Sequence, residues 1–363
     1  MKQLKFESDI ITCTDRYSES FALKDYIYDE DGRLDRQKTI DLLLSEEYGY
    51  VKSEGVQVNV RETDEPPAVP DASGYKKHVK LHFDLTKNGM SASFPVDLFL
   101  PDATGDIPCI VALDFSILED MNYFPLEVIM KKKVAVARIR YIEVASDNDD
   151  FETGVSPLLS DRSDPHSAGK LSIWAYAADL LGNYLLEKGY AKKGSLYVTG
   201  HSRLGKSALL AAALYDIFDG VHSNCSGCCG AAISQEKNGE PVTKIVNKFP
   251  YWFAPGFSGY ADRENEIPFD QHYLLALIAP KKLSIVTAED DVWADCEAQY
   301  LAAEAVSPIY ESIGLIGLDR TGGLLKTGDD SIGGNVVLRM RAGRHRFFPE
   351  DWAFFIDTVV NKK

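Results

Sequence analysis

From about Pro108 the chain alternates short, wholly apolar runs with amphipathic stretches, and this alternation restricts the folds open to it more than any other feature. The runs are Cys109–Phe115 (CIVALDF), Val134–Ile139 (VAVARI), Ser195–Gly200 (SLYVTG), Ala231–Ser234 (AAIS), Leu283–Ala288 (LSIVTA) and Val336–Arg341 (VVLRMR). Pro125–Lys131, Leu171–Lys188, Leu204–Phe218, Tyr273–Ile278, Cys296–Ala305 and Glu350–Asn361 carry apolar residues at helical spacing. A strand that is apolar on both faces must be covered on both faces, and a helix after each strand supplies that cover. The expected class is α/β, a three-layer sandwich around a mostly parallel central sheet.

The residues before Pro108 follow another pattern. Lys38–Glu47 has helical periodicity, while Gln57–Arg61, His78–Leu85 and Ser93–Leu100 alternate apolar and polar residues, as strands with one wet face do. Glu65–Ser73 (EPPAVPDAS) reads as a loop between two of these strands. The chain is therefore expected to form one domain over residues 1–363: an N-terminal helix with antiparallel strands over 1–105, then a strand–helix core over 106–363. Two long segments without periodicity, Tyr141–Ala168 and Tyr251–Ile267, interrupt that core, and segments of that length in a compact domain usually carry function.

Composition removes several partner classes. With 39 Lys and Arg against 55 Asp and Glu, the formal charge is -16, a field that repels nucleic acid and anionic lipid. No stretch reaches the roughly 18–20 apolar residues that span a bilayer, and MKQLKFESD at the amino terminus has no apolar signal core. As written the chain is expected to be cytoplasmic; a signal peptide already removed would make it secreted. Six cysteines in a chain of this length read as reduced thiols. The cluster Cys225-Ser226-Gly227-Cys228-Cys229 lacks a second Cys/His pair at zinc-ligand spacing, so no metal is expected.

Gly200-His201-Ser202-Arg203-Leu204-Gly205-Lys206-Ser207 follows one apolar run and opens a helical stretch, and it fits two unrelated chemistries. As G-x-x-x-x-G-K-[ST] it matches a phosphate-cradling P-loop, with Lys206 reaching the terminal phosphates. As a strand-turn-helix elbow it presents Ser202 as a nucleophile above the sheet, although the second glycine follows the serine by three residues and not two. The P-loop reading expects small intervening residues and a position early in the sheet. Here His201 and Arg203 intervene, and more than half the chain comes first.

The elbow reading demands an acid after a later strand and then a histidine near the carboxyl terminus. Glu289, Asp290 and Asp291 follow the run LSIVTA, and beyond them His345, in Gly343-Arg344-His345-Arg346, is the one histidine left. A serine hydroxyl is a poor nucleophile near neutral pH unless a base takes its proton during attack, and a carboxylate behind that base fixes its tautomer. The oxyanion needs preorganised donors, for which the amide and the guanidinium of Arg203 are placed at the helix start. Lys206 lies one turn further along the same helix.

GHSRLGK, together with Ile40–Gly49 (IDLLLSEEYG), Ser223–Ala232 (SNCSGCCGAA), Gly239-Glu240, Phe249–Phe253 (FPYWF), Pro268–Pro280 (PFDQHYLLALIAP), Asp291–Asp295 (DVWAD) and Gly343–Trp352 (GRHRFFPEDW), resembles the glucuronoyl esterases. These form family fifteen of the carbohydrate esterases, within the α/β-hydrolase superfamily. The resemblance implies Ser202 as nucleophile, Arg203 in the oxyanion hole, His345 as base, Lys206 and Glu240 on sugar hydroxyls and Trp293 lining the sugar site, with no cofactor. It implies a carbohydrate ester as substrate, a 4-O-methylglucuronate ester on xylan or a xylo-oligosaccharide, with deacetylation of an acetylated sugar as the alternative. Where many members carry the triad acid as Glu in an N-E-S-G segment, this chain has Cys225, which moves the acid to the strand end before DVWAD, at Asp291 by register. Gln235 and Glu236 stand where bacterial relatives carry an Arg pair, and Arg344 stands where they carry Gly.

Overall fold

The computed structural model describes residues 25–65, 75–115, 124–235, 238–319 and 326–362. The amino-terminal MKQLKFESD, Cys13, Glu236 and most of the EPPAVPDAS loop lie outside the described residues.

The described strands are β1 (Gln57–Glu65), β2 (Tyr75–Lys87), β3 (Met90–Pro101), β4 (Cys109–Asp114), β5 (Ala135–Arg140), β6 (Leu196–His201), β7 (Gly220–Asn224), β8 (Lys282–Ala288), β9 (Asp330–Ser331) and β10 (Val336–Arg341). They form one sheet in the order β1-β2-β3-β5-β4-β6-β7-β8-β10-β9. β1, β2, β3 and β5 pair antiparallel in turn, β5 through β10 run parallel across the middle, and β9 closes the far edge antiparallel to β10. This is the three-layer α/β sandwich with an antiparallel start that the patterning indicated, and it agrees with the α/β-hydrolase fold that the resemblance implies.

The sheet sorts its side chains by alternation. Along β4, Cys109, Val111 and Leu113 enter the larger core, while Ile110 and Ala112 enter the smaller one on the opposite face. The larger core lies under helices Lys170–Glu187 and Arg203–Leu214, which bring Trp174, Leu181, Leu204 and Ala208. The smaller one lies under Leu126–Lys131 and Pro349–Phe355, which bring Ile129, Trp352 and Phe355. No described helix is long and apolar enough to cross a membrane.

Strand and helix approach most closely where β6 meets the helix Arg203–Leu214. A Cβ placed on Gly200 would lie 2.2 Å from the carbonyl oxygen of Leu204, so the two elements touch through backbone. Gly205 is tight as well, since a Cβ there would sit 3.0 Å from Ser223 Oγ and 3.1 Å from Ser226 Cβ. The glycine displaced by one position from the usual elbow pattern thus faces the turn that follows β7.

Several elements differ from the sequence expectation. Ala231–Ser234 is not a strand but part of a buried turn, in which Ala231 N–H donates to Ser226 Oγ at 2.9 Å. The strand in that region is β7, whose Gly220-Val221-His222-Ser223-Asn224 escapes hydrophobic periodicity because its buried positions carry polar groups that pair with residues of neighbouring elements. His222 Nδ1 meets Ser284 Oγ at 2.9 Å and Ser223 Oγ donates to Ser226 Oγ at 2.7 Å. The helix expected over Leu204–Phe218 ends at Leu214, where Tyr215 turns to an extended backbone. The two long segments contain short helical turns, among them Tyr141–Val144, Ser156–Leu159 and Pro255–Tyr260.

The amino-terminal helix, Arg36–Leu43, continues into a π turn at Leu44–Tyr48 that carries Glu47 and Tyr48 into the core. Tyr48 OH donates to the carbonyl of Cys229 at 3.1 Å, and Gln271 Nε2 donates to Glu47 Oε2 at 2.8 Å. Burial pushes the Glu47 carboxyl up to about 7 from an ordinary value of 4.5. The folded chain holds this proton more tightly than the unfolded one, so the stability tied to Glu47 is complete below about pH 4.5 and is lost as pH rises toward 7. The loss is on the order of 3 kcal/mol. Glu47→Gln is expected to flatten that part of the pH dependence and to gain stability over wild type at pH 8, read by urea unfolding between pH 4 and 8. Parallel curves for the two proteins would remove Glu47 as the source.

Candidate active site

β6 ends at His201 and the next helix begins at Arg203, which leaves Ser202 alone to make the turn, at φ 56° and ψ -127°. A side chain in such a conformation costs on the order of 1–3 kcal/mol and persists only where its surroundings impose it. Here they do: Ser202 N–H donates to the carbonyl of Asn224 at 2.8 Å, and Gly200 lets the helix close onto the strand. The turn lies at the carboxyl edge of the parallel strands, where loops from neighbouring strands can converge on it.

Two of those loops run side by side. Glu289 N–H donates to the carbonyl of Arg341 at 2.9 Å and Asp290 N–H to that of Gly343 at 3.0 Å, so the chain leaving β8 stays paired with the chain leaving β10. This pairing brings His345 Nδ1 to 2.5 Å from Asp291 Oδ2. The Asp291 side chain is 3% exposed and the imidazole 41%. The other Asp291 oxygen accepts Ala294 N–H at 3.3 Å, whereas Glu289 and Asp290 face solvent. A carboxylate can only accept, so Nδ1 of His345 carries a hydrogen, and the tautomer this selects in a neutral ring is the one with its lone pair on Nε2. The His345 ring centroid lies 4.5 Å from that of His201, the residue preceding Ser202.

Behind this pair lies a buried polar layer that sequence reasoning did not assemble. His201 Nδ1 donates to Asn224 Oδ1 at 2.7 Å, Asn224 Nδ2 to Asp351 Oδ2 at 3.1 Å, and Arg341 Nε to Asp351 Oδ1 at 3.0 Å. Arg341 Nη1 reaches the carbonyl of Arg344 at 3.2 Å and Nη2 that of Arg346 at 2.5 Å, so one guanidinium grips the loop on both sides of His345. Burial, with His345 beside it, holds His201 well below the usual imidazole range, so the ring next to His345 stays neutral. The signal for this layer in sequence is slight: His201 stands there only as a bulky residue within the motif, and Asp351 lies in a stretch that reads as helix.

Cys225 follows β7 at φ 49°, and its thiol is buried. Its sulfur, a carboxylate oxygen of Asp291 and a ring nitrogen of His345 lie within 4.8 Å of one another, which makes this the one trio among the described residues with the spacing of metal ligands. The surroundings fit a cation poorly, since Arg341 Nη2 stands 4.0 Å from the sulfur. Burial and then the neighbouring Asp291 raise the thiol well above its ordinary range, which keeps it neutral.

The residues expected on the sugar side divide. Lys206 is buried, and its ammonium donates to the carbonyls of Ser226, at 2.5 Å, and Cys228, which leaves one of its three N–H groups for another partner. An ammonium so engaged is not available to reach along a phosphate chain, contrary to the P-loop reading. Glu240 is buried, and its backbone N–H donates to the carbonyl of Trp293 at 2.9 Å. Asp295, the cap of helix Cys296–Ala305, accepts from Asn238 N–H at 2.8 Å and Gly239 N–H at 2.9 Å, fastening the Glu240 loop to the turn that carries Asp291 and Trp293. Trp293 is 47% exposed, with Lys244 Nζ 4.9 Å from its ring centroid. Gln235 is buried with its backbone on the Asp270 carboxylate, and Arg344 is exposed. Arg203 turns its guanidinium onto Asp147 among the rings of Phe115, Phe249 and Trp252.

A strained serine, a paired imidazole and an adjacent arginine are the parts that acyl transfer uses. The family model of fungal glucuronyl esterases matches residues 83–314. The chain is 35% identical over 189 residues to a carbohydrate esterase from an unknown prokaryotic organism, covering 52% of this chain and 43% of that protein. It is 27% identical over 274 residues to a 4-O-methyl-glucuronoyl methylesterase of Podospora anserina, covering 71% of this chain and 55% of that one. It thus spans about half the length of these two curated relatives. Among solved structures, a glucuronoyl esterase from Solibacter usitatus superposes with a TM-score of 0.82 at 25% identity, over 93% of this chain and 97% of that chain.

Proposed function

This chain belongs to the glucuronoyl esterase family, and from that premise we propose that it is a serine esterase that hydrolyses a carboxylic ester of a glucuronate through an acyl-enzyme on Ser202. The observation that carries the mechanism is the imidazole of His345, held 2.5 Å from buried Asp291 and packed beside the residue that precedes the strained serine.

Nε2 of His345 takes the Ser202 proton as Oγ attacks the ester carbonyl, and the bond from Oγ to carbon forms while the carbonyl π electrons move onto oxygen. Asp291 stabilises the imidazolium that results. The oxyanion is met by Arg203 and by the amide groups at the start of the helix Arg203–Leu214. Collapse breaks the bond to the alcohol oxygen, which leaves with the proton from His345, and water then repeats the sequence to release the acid. Neutral His201 adds no second positive charge beside the imidazolium. Cys225 takes no part, because a neutral thiol cannot replace a carboxylate behind the imidazole.

The uronate reading rests on the sugar side. In a glucuronate ester the sugar belongs to the acyl half, so groups that bind ring hydroxyls act on the same side of the scissile bond as the serine adduct. Glu240, the remaining N–H of Lys206 and the exposed face of Trp293 are the candidates.

Ser202→Ala and His345→Ala are expected to lower kcat on benzyl glucuronate by about 10^4-fold or more, and Asp291→Asn by about 10^3–10^4-fold, with unfolding curves unchanged. Cys225→Ser should stay within a few-fold of wild type. A fluorophosphonate should add mass at Ser202 and at no other residue. Full activity in Asp291→Asn together with a crippled Asp290→Asn would move the acid to the neighbouring residue.

Glu240 gives the cleaner test of substrate, because removing Lys206 also strips two buried carbonyls of their donor. Glu240→Ala is expected to reduce kcat/KM on glucuronate esters about 10–100-fold and to leave an aryl acetate nearly unaffected. Equal losses on both esters, or acetylated xylan as the better substrate of the wild type, would replace the uronate with an acetylated sugar.

A further inference from the structure

Arg203 has its donors divided between two environments. Nη1 donates to Asp147 Oδ2, whereas Nε is buried and has no hydrogen-bond partner. The guanidinium carbon sits 4.7 Å from the ring centroid of Trp252, 5.4 Å from that of Phe115 and 5.5 Å from that of Phe249. Asp147 is itself held in place: its Oδ1 accepts Trp252 Nε1–H at 2.8 Å and its Oδ2 accepts Tyr141 OH at 2.9 Å. Its side chain is 12% exposed against 25% for Arg203, so the pair is shielded from bulk water.

A buried donor with no partner is uncommon, because its desolvation is uncompensated, and beside a reacting serine it is available for a hydrogen bond that a substrate atom would complete. A long arginine side chain has many rotamers. Here one edge of the planar fork is engaged by a carboxylate that two further residues fix, and three aromatic rings restrict its tilt. What remains is a single orientation with the Nε edge unspent.

We propose that Asp147 is a positioning residue for ester hydrolysis: by binding the Nη1 edge of Arg203 it reserves the Nε–H for the carbonyl oxygen as that oxygen becomes anionic. This rests on the serine-esterase reading and deepens it. Asp147 contacts neither the ester nor the nucleophile, and its effect is transmitted through Arg203. Because the oxyanion exists only after attack, the loss on removing Asp147 falls on kcat and not on KM. It is also shared by every ester, since the oxyanion is common to all of them while the sugar contacts are not.

The test is a double-mutant cycle read on benzyl glucuronate and on 4-nitrophenyl acetate, with wild type, Asp147→Ala, Asp147→Asn, Arg203→Ala and the Asp147→Ala/Arg203→Ala pair. Arg203→Ala is expected to lower kcat about 10^2–10^3-fold, the magnitude typical for loss of one oxyanion donor. Asp147→Ala should lower it about 10–100-fold on both esters with KM within about twofold, and the double variant should match Arg203→Ala within about twofold. Asp147→Asn, close in shape and without the charge, should show a smaller loss of the same kind; it decides the matter if Asp147→Ala does not fold by circular dichroism. Losses that multiply in the double variant, a loss confined to KM, or a wild-type or raised kcat in both Asp147 variants would overturn the proposal while leaving the esterase reading intact. A wild type that cleaves neither ester would overturn both.

Discussion

The backbone contact between β6 and the helix that follows it is the constraint from which the rest of the site is built. Only with no side chain at residue 200 can the Leu204 carbonyl approach so closely, and only that approach obliges Ser202 to turn the chain within one residue at φ 56°. The strain is held by Asn224 on β7, the next strand in the sheet, through the bond that its carbonyl accepts from Ser202. The placement of this half-buried serine at the turn is therefore a consequence of sheet packing, and the helix that begins immediately after it turns its first amides toward the same point.

The acid and the base that the proposed mechanism assigns to this serine come from loops at the same edge of the sheet, which is why residues far apart in the chain meet there. Asn224 ends β7, Asp291 follows β8 and His345 follows β10, three strands that stand side by side in that order in the sheet. Arg341 ties them together, with its guanidinium on Asp351 and on carbonyls flanking His345. Each member of this layer is buried or half-buried, and in a medium of low dielectric a satisfied polar network holds its geometry while an unsatisfied one would be costly. Cys225 sits within reach of both Asp291 and His345, so a carboxylate at the end of β7 or at the end of β8 would meet the same imidazole.

The long irregular segments supply the other wall. Residues 141–168 contribute Asp147 and Tyr141, and the region before the helix His272–Ala276 contributes Phe249 and Trp252, which together box the guanidinium of Arg203. The turn at 226–229 receives Lys206 from one side and Tyr48 from the other, which links the N-terminal π turn to the elbow helix through a few carbonyls.

What the chain declares by itself is whatever depends on near neighbours. The alternation of apolar runs and amphipathic stretches determined a parallel sheet with helices on both faces, the elbow motif marked Ser202, and the order of serine, acid and histidine singled out His345. Periodicity is a local property, and it failed where local composition misleads: Ala231–Ser234 is apolar because a turn is buried, and β7 is polar because its side chains satisfy one another across strands. The resemblance put the acid at Asp291 by register, but the contact of Asp291 with His345, with Glu289 and Asp290 left to solvent, depends on the pairing of two loops more than 50 residues apart in sequence, which the tertiary structure supplies. The same is true of Asp147, 56 residues from Arg203, and of the ammonium of Lys206, which sequence alone would leave free to reach a ligand and the fold commits to two carbonyls. Hydrogen bonds and ion pairs are directional and short-ranged, so their partners are chosen by where the backbone passes, and that path is settled by the packing of the whole sheet.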